Sequence, residues 1–407
     1  MYDAIVVGAR CAGSPAAMLL ARKGHRVLLL DRASFPSDIM STHYIQPLGV
    51  ERLKRWNLLD QVAATGCTLI RSVHFNLGPI VLEGFPPGPA GVDFVCAPRR
   101  TVLDKILVDA AVHAGAELRE NFSVRELLFE DDRVVGIRGR DANGTIVAER
   151  ARVVIGADGV HSFVARSVNA PEYEARPAPG CGYYSYWSGI DCNRLEWYPR
   201  REQARLAALI PTNAGTVVIV LAPNAFFPTF RSDLEYHFLA ALDIIPALAE
   251  RVRAGKREER FLGEGDLSSF FRRPYGPGWA LVGDAGYHKD PVTVQGISDA
   301  FRDAELLAEA LDQSFSGAQP FEAALAGYET ARNLAVMPMY NYTYDMACLT
   351  PPPPEYMALM AAVSRVPKEI PNLLGTFAGT VPIPEFFSPQ NIQRIITQAR
   401  SSEVAHA

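Results

Sequence analysis

The chain is 407 residues long, carries a formal net charge of -5 and is 48% hydrophobic, length enough for about two to three domains and apolar content enough for a large core. The near-neutral balance with no basic stripe excludes a nucleic-acid surface, and the lack of any apolar run of about 18 residues excludes a membrane-spanning helix. Six cysteines lie scattered without a C-x-x-C pair, so reduced thiols in a cytoplasmic protein are expected, and neither a disulfide frame nor a metal site is.

The sequence enters a strand at once, so no leader is expected. Residues 2–32 read YDAIVVGARCAGSPAAMLLARKGHRVLLLDR. The spacing predicts a buried strand over 4–7, a tight turn from Gly8 to Gly13, a helix over 14–23 and a second strand over 27–30 that ends on Asp31. Gly8 lets the chain turn sharply. Gly13 lets the helix pack close to the sheet, and the helix N-terminus offers free N–H groups to a pyrophosphate. Asp31 stands where a carboxylate accepts hydrogen bonds from a ribose diol. Arg10 occupies the middle glycine position of G-x-G-x-x-G, beside Cys11 and Ala12. Its side chain must point away from the phosphates or lie along them.

A polar loop over 37–46 holds Ser41, Thr42 and His43 without an apolar period, and 48–59 is expected to be helical. Residues 72–93, rich in Gly and Pro, are expected to leave the first domain as strands. A helix follows Arg99-Arg100-Thr101 and stops at Gly115. Strands are expected over 123–129, 133–140, 146–150 and 151–155, with the turn DANG at 141–144. From about 170 the pattern becomes strand-like, over 182–190, 195–199, 205–211 and 216–221. Tyr183, Tyr184, Tyr186 and Trp187 either line an apolar pocket or pack a sheet face. A helix is expected over 233–242 and a long one from Gly296 to Asp312. The chain is largely helical after Pro320.

Two later motifs join the first. Residues 155–166 read IGADGVHSFVAR, and 283–291 read GDAGYHKDP, followed by VTVQGISDAFRDAELLAEAL. With the N-terminal unit, they resemble the three fingerprints of FAD-dependent monooxygenases of the p-hydroxybenzoate hydroxylase fold. That superfamily also holds geranylgeranyl reductases and flavin-dependent halogenases, and the resemblance spans residue 2 to about 335. It implies an α/β fold: a Rossmann-type FAD-binding domain, an inserted antiparallel-sheet substrate domain and a helical C-terminal tail. The implied division is FAD-binding parts 1–71, 99–169 and 278–345, substrate-domain parts 72–98 and 170–277, and a helical region 346–407.

The resemblance also implies residue roles. Gly8, Arg10, Cys11, Ala12, Gly13, Asp31 and Arg32 would serve the dinucleotide, with Ser41 and Thr42 nearby. Arg100 matches the arginine of an R-x-x-L helix start, with Arg99 as the neighbour it is easily confused with. Asp158 and Gly159 match a DG motif that serves the pyrophosphate and nicotinamide binding. Gly283 and Asp284 match a GD motif whose aspartate holds the ribityl chain. Gln295, Gly296 and Ile297 begin a helix whose positive end faces the flavin pyrimidine. The family pattern is broken at Tyr287, Ser298 and Ala300, near the flavin.

The implied activity is monooxygenation of an apolar or aromatic small molecule, with NAD(P)H as reductant, dioxygen as co-substrate and a flavin hydroperoxide as oxygen donor. His43 and His288 are candidate bases or ordinary loop histidines, and Pro291 is placed to cover the flavin ring. The rivals are reduction of an isoprenoid double bond, halogenation, and a flavin-binding regulator without turnover. Halogenation would call for a lysine, and none lies between Lys54 and Lys105.

Overall fold

The computed structural model describes residues 1–89 and 91–406. Its first sheet grows from the N-terminal strand Tyr2–Val7, an apolar run buried on both faces. That strand pairs in parallel with Val27–Leu30 on one side and Ile146–Gly156 on the other. The sheet runs on to Glu117–Arg119 at one edge and, through Trp279–Leu281, to the short antiparallel strand Tyr275–Gly276 at the other. Helix Gly13–Arg22 buries Ala16, Ala17, Met18 and Leu20 against it. Segments distant in sequence thus bring their C-terminal ends to one edge, where ligands bind in open parallel sheets.

The second sheet is built mainly from antiparallel strands, Gly180–Ser188, Gly215–Pro223, Arg205–Thr212 and Leu195–Arg200, and continues into Val73–Asn76 and Val81–Gly84. Side chains alternate across it. One cross-strand row reads Phe75, Trp197, Ala208, Ile219 and Tyr184 and lies in the main core shared with the first sheet. The adjacent row, Tyr198, Ala207, Val220 and Tyr183, packs in a separate core under helices Leu234–Leu242 and Pro246–Ala254. The aromatic run therefore divides: Tyr184 and Tyr186 face the first domain, and Tyr183 and Trp187 face away.

The fold is thus the expected Rossmann-type arrangement with an inserted antiparallel sheet, and several elements differ in detail. The helix expected over 48–59 is two, Pro47–Arg55 and Leu59–Ala63, because Asn57 turns into the left-handed region at φ 62. The two strands expected over 146–155 are one, Ile146–Gly156. Helix Pro246–Ala254 had no expectation. Phe321–Ala347 runs for 27 residues with Pro338 inside it. Beyond it, helix Ile370–Ala378 packs on the edge of the second sheet, with the Phe377 ring 5.1 Å from that of Phe75. Among the described residues, no helix is long and apolar enough to cross a membrane.

Candidate flavin site

The first turn explains its two glycines. Gly8 has φ +102, and a Cβ there would lie 2.4 Å from the Ala157 carbonyl oxygen. A Cβ on Gly13 would lie 1.8 Å from the Gly8 carbonyl oxygen. Any side chain at either position pushes the helix off the sheet. The helix that starts at Gly13 has no side-chain cap and no acidic residue in its first turn. The Ser14 amide donates to the Arg10 carbonyl at 3.0 Å and Pro15 has no N–H, which leaves the Gly13 amide and the positive helix end to an anion. Asp31 stands beside this turn, where its two oxygens accept from the Ala9 and Ala33 amides at 2.8 Å each. Arg32 is exposed.

Arg10 reaches sideways. It donates to Asp104 Oδ2 at 2.7 Å and to Ser37 Oγ at 2.7 Å. Arg100 grips the same carboxylate at 2.9 and 3.1 Å, and the Cys11 thiol approaches it at 3.4 Å. Two guanidinium groups therefore share one buried carboxylate behind the turn, and burial pushes the Cys11 thiol pKa up. Arg99 serves another purpose: it bonds Glu259 Oε1 at 2.7 Å and Asp38, and lies 3.7 Å over the Tyr186 ring. It ties the loop that holds Asp38 to the inserted sheet.

The 37–46 loop is ordered by that sheet. The Ser41 amide donates to Tyr184 Oη at 3.1 Å, and Ser41 Oγ accepts from the His43 amide at 3.0 Å. His43 is buried at φ 62, with Nε2 2.5 Å from Tyr186 Oη and Nδ1 buried without a partner. Burial, then the charges of Arg100 and Arg99, lower its pKa to about 3. The imidazole is therefore neutral at ordinary pH. Thr42 is half-buried beside it.

Asp158 is spent on local structure. It accepts from Ser162 Oγ at 2.5 Å and from the Phe163 amide at 2.7 Å, at the start of helix Phe163–Ser167. Burial raises its pKa against those hydrogen bonds. Gly159 follows at φ +82 with open space where a Cβ would stand.

The third motif lands on the first. A Cβ on Gly283 (φ +61) would lie 2.7 Å from Ala12 Cβ, so the GD loop touches the phosphate turn. Asp284 is exposed there, and Arg100 and Lys289 both sense its charge. His288 is tied into a three-stranded sheet: its strand pairs with Ser269–Arg272, and Nδ1 lies 2.6 Å from the Ser268 carbonyl. Lys289 is buried, bonded to Asp299 and, at 2.8 Å, to Tyr287 Oη. Arg302 bonds Asp299 at 2.6 Å and Asp303 at 2.7 Å. Asp290 accepts from the Val292 amide at 2.8 Å and so caps the turn Pro291–Thr293; burial raises its pKa to about 7. Half-buried Pro291 begins that turn.

Gln295 donates to the Phe377 carbonyl at 2.5 Å, which ties this loop to the C-terminal helices. Helix Gly296–Phe315 then starts without a side-chain cap; Gly296 is exposed, with nothing within 4 Å of a Cβ there, and Ile297 is buried. Two uncapped helix N-termini, linked through the Gly283–Ala12 contact, fit a group that carries a pyrophosphate at one end and an electron-accepting ring at the other.

Beside the Pro291–Gln295 loop lies a cavity of about 40 Å³. Phe75, Leu195 and Trp197 wall it from the second sheet, Val292 and Thr293 from the loop, and Phe377 from the C-terminal helices. Asp104, at the phosphate turn, and Gln46 and Trp197, which line this cavity, were not singled out from the sequence. Asp104 had a signal in its i, i+4 spacing from Arg100; the other two had none.

A family model for the FAD binding domain matches residues 1–239. The chain belongs to the FAD binding domain family. This flavoprotein is 28% identical over 339 residues to digeranylgeranylglycerophospholipid reductase 2 of Methanothermobacter thermautotrophicus, covering 81% of this chain and 82% of the relative. Its fold is similar to that of the myxobacterial chondrochloren halogenase CndH, with a TM-score of 0.79, 24% identity and coverage of 98% and 97%. It is also similar to PqsL, "a probable FAD-dependent monooxygenase" of Pseudomonas aeruginosa, with a TM-score of 0.68, 21% identity and coverage of 93% and 99%. The superfamily expected from the three motifs is the one found, and the protein is an FAD-dependent oxidoreductase by family.

Proposed function

We propose that this flavoprotein is an NAD(P)H-dependent monooxygenase acting on a small apolar or aromatic molecule. The cavity beside the Pro291–Gln295 loop carries this reading. Its walls are mainly apolar, and it stands beside the loop expected over the flavin ring, where the reacting part of an apolar or aromatic substrate would lie.

When bound, FAD supplies the redox and oxygen chemistry. The chain's own residues bind, orient and exclude water. The Gly13 amide and the cation surplus around Asp104 would hold the pyrophosphate, Asp31 the ribose and Asp284 the ribityl chain. The uncapped helix N-terminus at Gly296 favours negative charge next to it. Pro291 has no N–H to leave stranded against the ring. Neutral His43 stays bonded through Nε2 to Tyr186 Oη. Burial lowers the imidazole pKa and raises that of the phenol, so the pair fixes the loop and holds its protons where they are at ordinary pH.

A second reading, reduction of an isoprenoid double bond, is favoured by the 28% identity to a reductase across 81% of the chain. An anaerobic single turnover separates the two. Reduced protein mixed with an isoprenoid alkene in the absence of dioxygen leaves the alkene unchanged if the enzyme is a monooxygenase. Formation of the saturated product under those conditions moves the assignment to the reductase.

A further inference from the structure

If the cavity is where a small molecule meets the flavin, its polar lining must match that molecule too, and the role assigned to Trp197 rests on that reading. The volume of about 40 Å³ is several times the roughly 10–15 Å³ that one water needs. Most polar groups around it are already engaged. The Gln46 amide donates to the Thr293 carbonyl at 3.2 Å, and the Thr293 hydroxyl shares a hydrogen bond of 2.8 Å with that of Thr343. Tyr44 lines the cavity with a phenol that burial keeps protonated.

Trp197 is different. It lines the cavity and is 6% exposed, and its indole Nε1 is buried with no hydrogen-bond partner from the protein. A buried indole N–H ordinarily finds an acceptor. The backbone around it is fixed by pairing with Phe75 on one side and Ala208 on the other, so the strand itself does not swing to supply one.

We infer that Trp197 positions the substrate by donating its indole N–H to an oxygen acceptor on an otherwise apolar molecule. The substrate class is therefore an apolar ring or chain end that carries a carbonyl, ether or phenolic oxygen. A bare hydrocarbon fills the same walls and leaves the N–H unsatisfied. Phe377, on the helix that Gln295 ties to the flavin loop, lines the cavity from the C-terminal helices.

The test uses two probes of similar shape, acetophenone, which has an acceptor, and cumene, which does not. Each is titrated into the oxidised FAD-loaded protein, read by the midpoint of thermal unfolding and by the visible flavin band. Wild-type protein is expected to bind acetophenone about fivefold tighter than cumene, the size of one neutral hydrogen bond. Trp197→Phe keeps an aromatic wall and removes the donor; it should abolish the preference or reverse it in favour of cumene, because the buried carbonyl then lacks a partner, while cumene binding stays. Phe377→Trp, which narrows the cavity from the C-terminal helices, should weaken both probes.

Equal affinity for the two probes in the wild type overturns the inference, even if Trp197→Phe fails to fold. So does an unchanged preference in Trp197→Phe, or no response to either probe up to its solubility limit. Neither NAD(P)H nor turnover enters the experiment. A lost preference therefore leaves oxygen transfer standing, and failed oxygen transfer leaves the preference standing.

Discussion

Two buried charge clusters stand behind the flavin site, and their balance differs. Around Asp104, the cations of Arg10 and Arg100 share one carboxylate. Around Asp299, the cations of Lys289 and Arg302 meet the two carboxylates of Asp299 and Asp303. The first cluster keeps a positive surplus beside an uncapped helix N-terminus and suits an incoming pyrophosphate. The second matches two cations to two carboxylates, with Asp303 Oδ2 left unpartnered, and braces the loop between Gly283 and Gly296. Buried charge thus suits binding in one place and shape in the other, and the difference lies in whether each cation has its own carboxylate.

The contrast is broken most severely in the balanced cluster. Asp299→Ala leaves Lys289 and Arg302 short of a partner in the interior and should cost about 3–5 kcal/mol of stability. Denaturant unfolding of the FAD-loaded protein checks this, and an unchanged midpoint would mean that the cluster does not brace the loop. Next in size, Asp284→Ala should weaken FAD binding on the order of tenfold, as expected for one charge-assisted hydrogen bond. Titration of the apoprotein with FAD reads it, and unchanged affinity would remove Asp284 from the site.

A pH experiment sharpens the picture of the 37–46 loop. Unfolded histidine titrates near 6.5, whereas folded His43 stays neutral down to about 3. Between those values the unfolded state binds the extra proton, so stability falls as pH falls, by about 1.4 kcal/mol per pH unit. Asn tolerates the left-handed backbone, so His43→Asn should show a shallower acid slope than the wild type in unfolding measured from pH 7 to 4. Identical slopes would show that His43 is not buried as described. The smallest effect belongs to Arg10→Ala. It removes one of two cations beside the turn and should weaken FAD binding about fivefold, roughly 1 kcal/mol, with turnover at saturating FAD nearly intact. A large loss of turnover at saturating FAD contradicts this.

The same contrast marks what the sequence discloses. Gly8, Gly13 and Asp31 lie within one short strand–turn–helix–strand unit, where the chemistry dictates the spacing, and the fold class follows from three such local units in order. The partner of Arg10 lies 94 residues away, and no local pattern announces it. Arg100 and Asp104 share a helix face, but the spacing alone does not say that Arg10 joins them. The aromatic run at 183–187 was legible as a strand, yet which side chains face the flavin domain depends on cross-strand register. The cavity is the extreme case. Its walls come from the second sheet, the flavin loop and the C-terminal helices, and Trp197 gains its meaning only from what fails to reach its Nε1. The 37–46 loop lacked an apolar period because hydroxyls and aromatic side chains of another sheet order it.

The central claim is oxygen transfer at the flavin. The direct test is a turnover with isotopically labelled dioxygen, NAD(P)H and a panel of apolar aromatic compounds that carry an oxygen acceptor, with the mass of the product as the readout. Oxygen transfer predicts a product that carries one labelled oxygen atom. Consumption of NAD(P)H with product formed but no label in it, from the same compounds that bind the cavity, would contradict it.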